Sequence, residues 1–105
     1  MEQGDIILVR YPFSNVIDYK IRPALVVSNS EFNRKFDRLV CPITSKRQEK
    51  AIAISGSLAE GKLDRESFAK TNAIATIEND MILKKIGKVS GEKTAEIIGE
   101  IIKNF

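Results

Sequence analysis

Along most of this chain the apolar residues fall in short runs broken by proline, glycine and charged positions, and only the last stretch changes to helical spacing. Residues 6–11 form the first run, rich in β-branched side chains and ended by Pro12, and predict a strand. Residues 12–21 have no periodicity and predict a loop. Residues 24–28 predict a second strand, after which Ser28-Asn29-Ser30-Glu31 offers the cap of a short helical turn carrying Phe32 and Phe36 inward. Residues 39–44 predict a third strand, in which Pro42 marks a bulge or an edge because proline cannot donate to the ladder. Residues 51–54 predict a fourth, closed by Ser55-Gly56, and Gly61 punctuates a turn before Leu63. Residues 67–77 predict a fifth strand, broken near Asn72. In residues 92–105 Ala95, Ile97, Ile98, Ile101, Ile102 and Phe105 recur on one helical face behind a Ser90 cap, and that stripe is expected to pack on the strands.

Short β segments followed by one amphipathic helix predict a mainly β fold with α, a small β-barrel with a C-terminal α-helix. At 105 residues the chain is expected to be a single domain, residues 1–105. An apolar fraction of 43% and a charged fraction of 30% are those of an ordinary globular protein rather than a disordered one. The N-terminal residues lack the pattern of a secretory signal and no run is long enough for a membrane helix, so the expected location is cytoplasmic, with no membrane partner.

Composition narrows the chemistry. The chain has no histidine, which removes the usual acid/base group near neutrality and the commonest zinc ligand. The single cysteine, Cys41, lies inside an apolar strand pattern and is expected to be a core residue rather than a nucleophile. Acidic residues are scattered among lysines and arginines, so no metal and no cofactor is expected.

The net charge of +3 is uneven: residues 1–50 hold nine Lys/Arg against six Asp/Glu, and residues 51–105 hold eight of each. Arg34, Lys35, Arg38, Lys46, Arg47 and Lys50 flank the predicted third strand at both ends. A solvated surface accounts for the net charge alone; the clustering beside Arg22 and Thr44 favours a site for a polyanion. Arg22-Pro23 precedes the apolar run Ala24-Leu25-Val26-Val27, and proline stiffens the backbone there, holding Arg22 at a strand entrance. Thr44 closes the next run, so pairing of the two strands would bring a guanidinium and a hydroxyl into one pocket, a combination suited to a phosphodiester.

Gly4-Asp5-Ile6-Ile7-Leu8-Val9, Pro12-Phe13-Ser14-Asn15, Lys20-Ile21-Arg22-Pro23-Ala24-Leu25-Val26-Val27-Ser28, Pro42-Ile43-Thr44-Ser45 and Ile86-Gly87-Lys88-Val89-Ser90, in this order and spacing, resemble the MazF/PemK family of toxin endoribonucleases. The resemblance covers nearly the whole chain. It implies an SH3-like barrel, a homodimer, a cognate acidic antitoxin, operator DNA bound together with that antitoxin, and metal-independent cleavage of single-stranded RNA. It also implies that the loop at residues 12–21 folds over the RNA, where Phe13 and Tyr19 would stack on unpaired bases; on residue type alone Phe13 better suits a core or interface anchor, and Tyr19 suits either role. Phe13, Ser14, Tyr19, Lys20, Ser45, Lys46, Arg47, Lys70 and Asn72 are the residues expected to contact RNA, with Arg22 and Thr44 catalytic. The chain departs from the family at Thr71-Asn72-Ala73-Ile74-Ala75, where Ala73 and Ala75 replace a glutamine and an arginine and Asn72 replaces a carboxylate. Arg65 is a further candidate for a phosphate contact.

With neither metal nor histidine, the accessible route is attack of the ribose 2′-hydroxyl on the adjacent phosphorus, giving a 2′,3′-cyclic phosphate and a 5′-hydroxyl. Arg22 would stabilise the added charge and Thr44 would orient the phosphate. Neither is a good base, and the sequence leaves the acceptor of the 2′-proton unassigned. A rival reading from another class is a non-catalytic nucleic-acid-binding barrel that regulates its own operon with the antitoxin. A protein-interaction module is a third, weakly supported by seven aromatic residues and no tryptophan.

Overall fold

The computed structural model describes residues 1–12 and 19–105. Its elements in chain order are β1 (Asp5–Pro12), β2 (Tyr19–Val26), α1 (Ser30–Lys35), β3 (Arg38–Thr44), β4 (Ala51–Ala53), β5 (Leu58–Gly61), β6 (Phe68–Lys70), β7 (Ala75–Ile77), a 3₁₀ turn at Asn79–Met81, β8 (Ile82–Val89) and α2 (Gly91–Ile102). The strands form an antiparallel half-barrel in the order β4-β6-β3-β2-β1-β8-β5, with β7 paired separately to β3.

Strand alternation gives the central strands two buried faces. On one face Ile6, Leu25, Cys41, Ile43, Ala69 and Val89 pack with Ile54 and with Ile97 and Ile101 of α2. On the other, Ile7, Val9, Ala24, Val26 and Val40 pack with Ile77. Continuous apolar runs, rather than an alternating pattern, are what two-sided burial requires.

β3 holds the two halves together. Its residues Arg38, Leu39 and Val40 pair with β7, whereas Ile43 and Thr44, on the same edge, pair with Ala69 and Phe68 of β6. On the other edge only Ala24, Leu25 and Val26 pair with Pro42, Cys41 and Val40. The ladder stops there because Pro42 and Pro23 have no N–H to donate.

Several boundaries differ from expectation. β2 begins at Tyr19, so Arg22 and Pro23 lie within a strand rather than at its entrance, paired with Val9 and Leu8 of β1. Phe36 is 58% exposed rather than inward, because the short helix turns Asn33 to the interior. There the Asn33 amide donates to the Ser28 carbonyl at 3.0 Å and accepts from the Ser28 hydroxyl. The predicted cap of α1 is Asn29, whose side chain accepts from the Phe32 N–H at 2.9 Å. Residues 67–77 are two strands with different neighbours, β6 and β7, separated at Thr71-Asn72. β5 and most of β8 were not anticipated as strands: β5 is an edge with one half-buried apolar side chain, and β8 is interrupted by exposed lysines. Ser90 caps α2, accepting from the Lys93 N–H at 3.2 Å. Of the helical stripe only Ile97 and Ile101 are buried and Ile98 is half-buried; Ala95, Ile102 and Phe105 face outward.

Candidate active site

Continuing the β2–β3 register past its last hydrogen-bonded pair sets Arg22 opposite Thr44, and both line one open cavity of about 570 Å³. Pro23, Ile43, Ser45, Lys46 and Gln48 extend the sheet side of this cavity. Its other side is the turn between β5 and β6, through Leu63, Asp64, Arg65 and Ser67. Pairing of Thr44 with Phe68 makes this closure unavoidable: the residues just before Phe68 must run alongside those just after Thr44. A 3.0 Å ion pair between Arg47 and Glu66 marks the same course.

Local hydrogen bonds orient the groups. The Lys46 backbone N–H donates to Thr44 Oγ1 at 3.1 Å, which occupies a lone pair and leaves the hydroxyl proton for a ligand. Arg22 is exposed, and among the described residues its guanidinium has no hydrogen-bond or ion-pair partner. Ser67 pins the facing turn: its N–H donates to Ser55 Oγ at 2.6 Å and its hydroxyl to the Arg65 carbonyl at 3.0 Å. The turn opens at Gly61, whose φ of +79° is a left-handed conformation that glycine adopts without strain. Arg22, Lys46 and Arg65 make the cavity positive, with Asp64 as the one carboxylate among its described lining residues. A guanidinium, an ammonium and hydroxyls are donors, so this set suits an anionic oxygen rather than a metal cation.

The other expected contact residues are placed as follows. Ser45 and Lys46 line the cavity, and Arg47 stands beside it with its guanidinium 5.1 Å from the Phe68 ring. Lys20 is exposed on β2, on the strand face shared with Arg22. Tyr19 opens β2, and Phe13 and Ser14 lie outside the described residues. Asn72 lines a different cavity, with Thr71, Ile74, Ile101, Asn104 and Phe105. Lys70 is not among the cavity residues; its carbonyl accepts from Cys41 Sγ at 2.8 Å. Burial pushes the Cys41 thiol up to about 12, so it is an inert core group.

Arg38 opens β3, about 20 Å from Thr44 at some 3.3 Å per residue, and Arg34 and Lys35 lie on α1 just before it. Arg38 is used structurally, donating to the Asn33 carbonyl at 2.7 Å and to Asn79 Oδ1 at 3.0 Å. The basic cluster at the start of β3 is therefore not part of this cavity. Sequence reasoning missed Gln48, Asp64 and Ser67. The turn carrying Asp64 and Ser67 has no periodic pattern, and the strand pairing that brings it to Thr44 is long-range.

The model of PemK-like, MazF-like toxins of type II toxin–antitoxin systems matches residues 2–105. No curated protein matches the chain at the level of sequence. Among solved structures, the Mycobacterium tuberculosis toxin MazF-mt6 superposes with a TM-score of 0.74 at 18% identity, covering 95% of this chain and 93% of its own. A mycobacterial endoribonuclease in complex with its cognate antitoxin gives 0.70 at 17%, covering 98% and 92%. MazF from Deinococcus radiodurans gives 0.74 at 16%, covering 99% and 94%. At such identities the superpositions establish the fold.

Proposed function

The chain belongs to the PemK-like, MazF-like toxins of type II toxin–antitoxin systems, and from that premise we propose that it is an endoribonuclease that cuts single-stranded RNA without a metal. The observation that carries the reading is the cavity shared by Arg22 and Thr44. Arg22 offers a planar fork to two non-bridging phosphate oxygens, and Thr44 offers one further hydrogen bond from a hydroxyl already fixed by the Lys46 N–H. Both groups meet the phosphate as it gains charge, so their contacts strengthen toward the pentacoordinate phosphorane and lower the barrier. The nucleophile is the substrate's own 2′-hydroxyl, and the products are a 2′,3′-cyclic phosphate and a 5′-hydroxyl. Ser45 and Lys46 extend the phosphate track along the cavity, with Arg47 and Lys20 at its margins.

The same reading makes the active form a cytoplasmic homodimer, neutralised by an acidic antitoxin that occupies the positive cavity and joins it on operator DNA. One of the similar structures holds an endoribonuclease with its cognate antitoxin, which supports that partner. RNA and antitoxin then compete, and light scattering gives twice the chain mass. The deciding experiment incubates the purified protein with mixed-sequence single-stranded RNA in excess EDTA. Cleavage is expected to persist, to leave a cyclic phosphate on the 5′ fragment, and to stop where the nucleotide 5′ to the scissile bond is a deoxynucleotide. Cutting of an all-deoxy strand, or no cutting of RNA, refutes the reading; the second result favours the non-catalytic nucleic-acid binder.

A further inference from the structure

We propose that Asp64 is the base that takes the proton from the attacking 2′-hydroxyl, an assignment that rests on the ribonuclease reading above. The chain has no histidine. Guanidinium and ammonium groups have no lone pair to offer a proton, and a threonine or serine hydroxyl is too weak a base. Of the described residues lining the cavity of Arg22 and Thr44, Asp64 alone is a carboxylate. Glu66, two residues on, is held by Arg47 at 3.0 Å. Asp64 is exposed, and no donor among the described residues engages its oxygens.

Its placement is built rather than incidental. The turn that presents Asp64 starts from the left-handed Gly61 and is fastened at Ser67, whose hydroxyl holds the Arg65 carbonyl. Arg22 and Thr44 border the cavity from the sheet, and Asp64 borders it from this turn. A phosphate seated on the sheet side would face this turn across the cavity, where a ribose turned the same way would meet the carboxylate. A carboxylate also weakens attraction for a polyanion, so one placed among lining residues whose other charges are those of Arg22, Lys46 and Arg65 calls for a chemical role.

The step balances without a further reactant. The 2′-oxygen forms a bond to phosphorus as its proton passes to an Asp64 oxygen. Arg22 stabilises the phosphorane, the bond from phosphorus to the 5′-oxygen breaks, and the departing oxygen takes a proton from water in the open cavity. Asp64 then returns its proton to water.

The test compares the wild-type chain with Asp64→Asn and Asp64→Glu, measuring cleavage of mixed-sequence single-stranded RNA across pH and binding of the same sequence with 2′-deoxy sugars, which cannot be cut. Asp64→Asn is expected to slow cleavage at least ~100-fold at neutral pH, the order of a lost general base. It should abolish the fall in rate on the acid side and bind the deoxy strand as tightly as wild type or more so. Asp64→Glu should recover part of the rate together with the acid-side fall. Unaltered binding of the deoxy strand shows that the variant is folded. If wild type cleaves and Asp64→Asn keeps both its rate and its acid-side fall, the assignment is overturned while the ribonuclease reading stands. A change in which sequences are cut, with rate and pH profile unchanged, overturns it in favour of base recognition. Absence of cleavage by wild type overturns both.

Discussion

Gly61→Ala tests whether the turn facing the sheet is held where the structure puts it. Gly61 has φ +79°, a region that costs a residue with a Cβ about 1–2 kcal/mol. An added Cβ would also stand 2.4 Å from the Ile86 carbonyl oxygen and 2.8 Å from Gly87 Cα, both backbone atoms of β8. Neither can swing aside as a side chain would, so the β5–β8 pairing of Gly61 with Gly87 has to part. Overpacking of this kind costs ~1–3 kcal/mol, which brings the total to roughly 2–5 kcal/mol. For a domain near 100 residues that is a fall in Tm of roughly 10–30 °C. Thermal and urea unfolding measure it. Gly99→Ala is the control: its Cβ would meet nothing within 4 Å on an exposed helical position, and it should be neutral or stabilising by up to ~1 kcal/mol. A Gly61→Ala variant as stable as wild type would refute the reasoning, and with it the fixed placement of Asp64 and Arg65.

Arg22→Ala should slow RNA cleavage at least ~100-fold, as expected for loss of one preorganised charge stabiliser, with the far-ultraviolet circular dichroism unchanged. Thr44→Ala should cost ~10-fold, because a neutral hydrogen bond is worth less than a charge-assisted one. Reversing Lys46 and Arg47 to Glu should flatten the fall of log affinity with log salt, which runs at about 0.7 per neutralised phosphate on single strands, whereas reversing Arg34 and Lys35 should leave that slope alone. Acid should act through Asp5. Burial is the largest single influence and raises its carboxyl, but the Glu2 N–H at 2.8 Å and Lys88 and Lys85 at 3.3 Å together outweigh it and hold the group below the usual range. The stability it contributes is thus complete above the ordinary carboxylate value near 3.9 and is lost as pH falls through the lower folded value. Asp5→Asn should reduce the urea midpoint at pH 7 and converge on wild type in strong acid.

What the sequence made legible depended on range. The β-branched runs of β1 and β3, the Ser90 cap and the break near Asn72 are set by neighbours along the chain, and periodicity reads them. The Arg22–Thr44 meeting was legible too, since antiparallel pairing of the apolar runs at 24–26 and 40–42 carries the residues just beyond them, Arg22 and Thr44, opposite one another. The start of β2 differs because Pro23 reads as a boundary, yet the strand continues through it by pairing with β1, Pro23 standing opposite Leu8. Phe36 and Phe105 were expected inward on hydrophobicity alone, which says nothing about whether another element arrives to cover them. Gln48, Asp64 and Ser67 enter the cavity only through the pairing of β3 with β6, twenty-four residues apart at Thr44 and Phe68, a relation that no local pattern encodes.

The buried thiol has a practical consequence for following this protein in action. With Cys41 at 0% exposure, hydrogen-bonded to the Lys70 carbonyl and its thiol pushed up to about 12 by burial, the thiolate is scarce at pH 7. Maleimides and iodoacetamides react with thiolates, so the native chain is blind to them while folded. A cysteine introduced at exposed Gln48 or Arg65, on either side of the cavity, would then be the only position to take a fluorophore. RNA and antitoxin could be watched entering the cleft with no need to remove the natural cysteine from the core. Conversely, labelling of the unmodified chain would report unfolding, one molecule at a time.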